Sequence, residues 1–188
     1  VMNGDIVKCN SGKPDKAPDH AIFVKLMQEA MAANGLDGTK VQVTMGNHDA
    51  LGHSVSAMKG YYTGTAADWF PAEAAGYYHK TLTGRDQQSY HFFYLNSNTA
   101  ASAQTSWFQD ELAKITDMSA PIFVFMHIPI SGSLDDTRWN YTESWIKAAL
   151  ADRPQAIVFS GHTHKTISED RSIGQNLGFT AVNEGTMT

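Results

Sequence analysis

The sequence predicts an α/β domain built on a partly parallel β-sheet. Short apolar runs bounded by Gly or Pro alternate with segments of helical period. Four of those runs lead at once into Asp, Asn or His. The chain has 188 residues, enough for one domain with a real core.

The elements follow in order. "VMNGD" at 1–5 reads as the tail of a strand already under way, ending in Gly4-Asp5. "PDHAIFVKLMQEAMAANG" at 18–35 sets Ile22, Phe23, Leu26, Met27, Ala30 and Met31 at helical spacing, with Asp19 as a start signal and Asn34-Gly35 as a stop. "KVQVTMGNHD" at 40–49 alternates Val41, Val43 and Met45 with polar neighbours and ends in Gly46-Asn47-His48-Asp49. "SYHFFYLNS" at 89–97 alternates less cleanly and is expected in a second sheet. "QTSWFQDELAKI" at 104–115 puts Trp107, Phe108, Leu112 and Ile115 on one helical face. "PIFVFMHIP" at 121–129 is a continuous apolar run, Ile122 to Met126, broken by His127 and Pro129. "DDTRWNYTESWIKAALADRP" at 135–154 reads as a helix ended by Pro154. "AIVFSGHTH" at 156–164 runs into Gly161-His162-Thr163-His164, and "AVNEGTMT" follows another apparent strand.

The apolar fraction is 42% and the charged fraction 18%, ordinary for a globular domain. Net charge is −5 with no basic block, which disfavours a nucleic-acid partner. No apolar run reaches the roughly 18 residues that span a bilayer. Cys9 is the sole cysteine, so no internal disulfide forms. The chain begins at Val1 and is expected to be an interior piece of a longer polypeptide, cut at its N-terminus and open to the same reading at its C-terminus. The absence of a signal peptide therefore carries no weight, and the compartment stays open. Residues 1–188 are expected to form a single domain, with 50–90 as an insertion or substrate loop region.

Sites in α/β sheets lie beyond the carboxyl ends of strands. If the four strands are neighbours, Asp5, Asn47, His48, His127, His162 and His164 converge. Imidazoles with one carboxylate and one amide oxygen suit Zn, Mn, Fe or Co, and the set lacks the thiolates of a structural zinc site. Each of these residues has a plain reading as well. Asp5 after a glycine is most often a turn residue. A lone His127 at a strand end is most often structural, and the set raises it. His20 reads as a first-turn helix residue, and His79 and His91 as structural or exposed. The aromatics Tyr61, Tyr62, Trp69, Phe70, Tyr77 and Tyr78 read as a packed interior sooner than a substrate wall. For Arg138 and Lys165, surface charge is the default over phosphate contact.

In order along the chain, "GD" at 4–5, "GNHD" at 46–49, "MHIP" at 126–129 and "GHTH" at 161–164 resemble the blocks of the calcineurin-like metallophosphoesterases. The resemblance covers most of the chain, with 50–90 least constrained by it. It implies a four-layer α/β/β/α sandwich of two mixed sheets, with two divalent transition ions (Mn, Fe or Zn) at the rim. Carried over, Asp5 bridges the ions, Asn47, His127 and His162 complete one site with it, and His164 serves the other. His48 faces substrate as general acid, with Asp49 either orienting it or tying down the loop. Apart from the resemblance, His53 soon after "GNHD" reads as a plain loop residue sooner than a substrate contact. The implied reaction is hydrolysis of a small phosphorylated substrate by metal-activated hydroxide. Three departures stand out. No D-x-H block precedes Asp5, which leaves one ion site thin in ligands. Asn96 stands where Asp is usual, and Lys8 argues against the tyrosinate-bearing purple acid phosphatase branch. The missing D-x-H block keeps an inactive scaffold or one-metal protein as the alternative. A zinc amidase or lactamase-like enzyme would show H-x-H-x-D-H or H-E-x-x-H, and neither occurs.

Overall fold

The computed structural model describes residues 1–6, 17–36, 38–50, 54–71, 76–98, 101–132, 144–164, 168 and 172–184. Lys8, Cys9, His53, Arg138, Lys165 and the first part of the helix expected at 135–154 lie outside these residues.

The larger sheet has six strands. They are β3 (Tyr78–Thr83), β4 (Ser89–Tyr94), β5 (Ile122–Phe125), β6 (Ala156–Ser160), β7 (Ile173–Gly174) and β8 (Thr180–Asn183), in the order β3-β4-β5-β6-β8-β7. The inner strands β4, β5, β6 and β8 run parallel, and the edges β3 and β7 run antiparallel to their neighbours. Parallel strands covered on both faces need apolar residues at every position, which is why "IFVF" shows no alternation.

One face packs Phe93, Ile122, Val124 and Val158 against α4 (Ala101–Ala113) and α5 (Ser144–Leu150), through Phe108, Leu112, Ile146 and Leu150. The other face carries an aromatic layer. Phe92 stacks on Phe123 at 5.1 Å, and Phe125 stacks on Tyr94 at 5.4 Å and on Phe159 at 5.1 Å. Against that layer lies a second, parallel sheet of β1 (Met2–Asn3) and β2 (Val43–Thr44). Outside it come α1 (Ala17–Ala33), through Phe23, Val24, Met27 and Met31, and α3 (Val55–Tyr61), through Met58. The layers thus run helix, sheet, sheet, helix. Among the described residues the smaller sheet is this parallel pair.

The segment at 89–97 corrects the sequence reading. It forms β4 of the large sheet, parallel to β5, not a strand of the second sheet. Its weak alternation has a plain cause: Phe93 and Leu95 face one core while Phe92 and Tyr94 face the other. The four ligand-bearing segments are therefore not neighbours in one sheet. Two end in the small sheet and two in the large one.

The Asn34-Gly35 stop acts as a left-handed cap. Gly35 has φ 66°, and the Leu36 amide donates to the Met31 carbonyl at 2.8 Å. Within 50–90 lie α3, a 3-10 helix (Gly64–Trp69) and β3, and Tyr62, Trp69, Phe70 and Tyr78 are buried. No helix among the described residues is long and apolar enough to cross a membrane.

Candidate metal centre

The two sheets meet at their carboxyl ends, and Asn3 joins them. Its Nδ2 donates to the carbonyls of Met126 and Phe159, both at 2.9 Å. These carbonyls lie at the ends of β5 and β6. Its Oδ1 accepts from the Thr44 hydroxyl at 2.8 Å, so one amide ties together four strands. Polypeptide leaving β1, β2, β5 and β6 then enters one small volume.

The loops there are tight. Gly4 has φ 80°, and a Cβ on it would stand 2.6 Å from the Gly46 nitrogen and 2.7 Å from His127 Nδ1. A Cβ on Gly46 would strike the backbone nitrogen of Asp5. Glycine is thus required at both positions for the two loops to touch. Among the described residues, four other than glycine hold positive φ, and three are sequence-predicted ligands. Asp5 has φ 49°, His162 67° and His164 56°. A conformation that costs free energy in an L-residue is concentrated where side chains must be aimed.

His127 is the hub. Its ring is buried and its Nδ1 donates to the Asn3 carbonyl at 2.8 Å. That bond leaves the Nε2 lone pair pointing into the site. Around Nε2 stand Asp5 Oδ2 at 3.0 Å, Asn47 Oδ1 at 3.0 Å and His162 Nδ1 at 3.2 Å. The ligand atoms of Asp5, His127 and His162 all lie within 4.8 Å of one another. These atoms can face one point only with a proton or a cation between them.

The electrostatics agree. Burial opposes charge on His127, but the hydrogen bond and charge of Asp5 outweigh it and raise its pKa. Burial would raise the Asp5 pKa, but His127 and the His48 amide, which donates to Oδ1 at 2.7 Å, hold it below the usual carboxylate range. Burial and the His127 charge lower the pKa of His162, keeping it a neutral donor. Two imidazole nitrogens, a carboxylate oxygen and an amide oxygen form a donor set that fits Zn, Mn, Fe or Co.

The remaining predicted residues have distinct places. His48 opens α2 (Asn47–Ala50) with Asn47 and is half-buried, its backbone amide on Asp5 Oδ1. Asp49 is fully buried, and its Oδ2 accepts the Gly46 amide at 2.9 Å and the Ile6 amide at 3.3 Å. It therefore ties the two ligand loops together. His164 is exposed and lies outside the Asp5–His127–His162 cluster. Thr163 between the two histidines is buried, its hydroxyl accepting from Asn183 Nδ2 at 2.9 Å.

Two positioning residues escaped the sequence reading. Asn3 is one, and its signal was an amide on a strand between Met2 and Gly4. Asn98 is the other: its Nδ2 donates to the Gly46 carbonyl at 3.1 Å and so steadies the Asn47 loop. Asn96 is buried and serves locally, its Oδ1 accepting the Asn98 amide at 2.9 Å.

The family model for calcineurin-like phosphoesterases matches residues 1–166. In fold, the chain is similar to a dimetal phosphatase from Danio rerio, with TM-score 0.56 and 11% identity, over 89% of this chain and 67% of that one. It is also similar to GAP50, the anchor in the inner membrane complex of Plasmodium, with TM-score 0.55 and 14% identity, over 98% of this chain and 70% of that one. No curated protein matches the sequence significantly.

Proposed function

The chain belongs to the calcineurin-like phosphoesterase family, and on that premise we propose that it hydrolyses a small phosphorylated substrate in a metal-dependent reaction. The observation that carries the reading is the convergence of Asp5, Asn47 and His162 on the Nε2 of His127. Those four would hold one divalent ion, and Asp5 with His164 would serve a second. Mn, Fe and Zn fit the donors. Divalent ions bound there supply water of lowered pKa and neutralise charge on phosphoryl oxygens.

The chain's own residues do the rest. Asp5 presents two oxygens, so one side chain can face both ions. Asn47 contributes an oxygen without adding negative charge, which keeps the site attractive to an anionic ester. His48, beside the cluster and partly open to solvent, delivers a proton to the departing alkoxide. Asp49, Asn3 and Asn98 hold the loops that aim these groups. Residues 1–188 act as one domain, and loops within residues 50–90 select substrate.

A second reading has an observation of its own. His164 is exposed and apart from the cluster, which favours a one-metal or inactive scaffold of the same fold. A fold neighbour described as an anchor is in keeping with that use. Chelation and reconstitution separate the two. The enzyme reading expects no turnover of phosphomonoester or phosphodiester in chelator, and recovery on adding Mn. Silence toward both esters with the site fully loaded would favour the scaffold.

A further inference from the structure

We propose that His79, Thr81 and His91, oriented by Glu111, form a separate binding site for a divalent transition-metal ion, zinc first among them, on the β3–β4 hairpin. The hairpin register makes the cluster. Thr81 pairs directly with His91 while His79 pairs with Phe93, so His79 and Thr81 lie two apart on one face and His91 joins them across the ladder.

The three donor atoms form a nearly regular triangle. His79 Nε2 is 3.2 Å from His91 Nδ1, and Thr81 Oγ1 is 3.4 Å from the first and 3.3 Å from the second. Donors so spaced form one face of a tetrahedron about 2 Å in radius, the bond length of zinc to imidazole nitrogen. The fourth position would open toward solvent, since Thr81 is exposed, and would be left to water.

The surroundings are those of a metal-binding histidine. His79 Nδ1 is 3.2 Å from Glu111 Oε2 on α4, so the carboxylate takes the ring's N–H and leaves the Nε2 lone pair facing His91. The ring is held flat on Phe93, centroids 4.1 Å apart and planes 1° from parallel. Partial burial lowers the proton affinity of both histidines, which favours the neutral donor form. Glu111 is also paired with Lys114, which limits but does not cancel its negative charge at the site. Two imidazoles and a hydroxyl without thiolate suit zinc, nickel or copper over calcium or magnesium.

This cluster is not the strand-end centre. His91 sits in the first half of β4, its amide bonded to the Pro121 carbonyl just before β5, whereas His127 follows the far end of β5. An ion here would pin the edge strand β3 to its neighbour and, through Glu111, to α4. Nothing in this proposal depends on the hydrolase reading.

The test counts zinc on the full chain by equilibrium dialysis. D5N/H162A, which disables the strand-end centre, should retain one zinc, and adding H91Q should remove it. H91Q alone should lower the zinc count by one while far-UV dichroism stays unchanged. That comparison holds even if D5N/H162A fails to fold. Cobalt in place of zinc should give the intense visible absorption of a tetrahedral ion, lost in H79Q. Equal zinc content with and without His91 would overturn the proposal and leave a hydrogen-bonded cluster only.

Discussion

The carbonyl of Asn3 accepts the Nδ1 proton of His127 across the gap between the two sheets, at 2.8 Å. The Asn3 side chain meanwhile holds the carbonyls at the ends of β5 and β6. Asn3→Leu would leave those carbonyls without their amide donor. At about 1 kcal/mol per lost bond, with desolvation added, the cost is about 2–3 kcal/mol. Metal affinity should fall about tenfold as the His127 ring loosens. Denaturant titration and metal-competition assays measure the two effects. Unchanged metal affinity would show that Asn3 only braces the sheets.

His48→Ala should separate turnover from metal content. A lost proton donor costs about 10²- to 10⁴-fold in kcat, while bound metal should stay near the wild-type level. Equal loss of both would reassign His48 to the ligand set.

Gly46→Ala should damage the site out of proportion to its size. The new Cβ meets the backbone and carboxylate of Asp5, and backbone cannot swing aside as a side chain can. A destabilisation of about 1–3 kcal/mol is expected, together with loss of tightly bound metal. A Gly46→Ala chain with normal metal content would mean that the Asp5 and Asn47 loops can part without loss of the site.

The metal-free chain should lose stability as pH rises above neutrality. The folded pKa of His127 is raised above its ordinary 6.5. Its contribution is therefore fully present below pH 6.5 and is lost as pH climbs through the raised value. His162 has the opposite sign: its depressed pKa adds stability as pH rises toward 6.5 and nothing beyond. Asp5, depressed below 3.8, matters only in acid, where its contribution is lost as pH falls. Above pH 6.5 the trend of these three groups is thus set by His127. Its slope is at most about 1.4 kcal/mol per pH unit. Melts in chelator from pH 6 to 9 should show the decline, and Asp5→Asn should flatten it.

What the sequence made legible follows from chemistry. Apolar runs that stop at glycine before Asp5, Asn47 and His162, and one that runs straight into His127, announce strand ends carrying candidate ligands, and the structure brings those four together. The partition between sheets was not legible. Alternation tells which face a residue takes but not which sheet a strand joins, and Phe92 and Phe93 are apolar on both faces. Asn3 was passed over because its role lies in contacts to Met126 and Phe159, more than 120 residues away. His79 and His91, each unremarkable alone, became a pair only through the Thr81–His91 register of a hairpin whose first strand was not foreseen. His164 was legible as half of "GHTH", but its exposure was not.

Whether Asp5, Asn47, His127 and His162 hold an ion together is read most directly from an anomalous-difference map of crystals of the chain loaded with Mn. A peak is expected between Asp5 Oδ2, Asn47 Oδ1, His127 Nε2 and His162 Nδ1, lost in His162→Ala. An Mn-loaded crystal with no peak among those four atoms would contradict it.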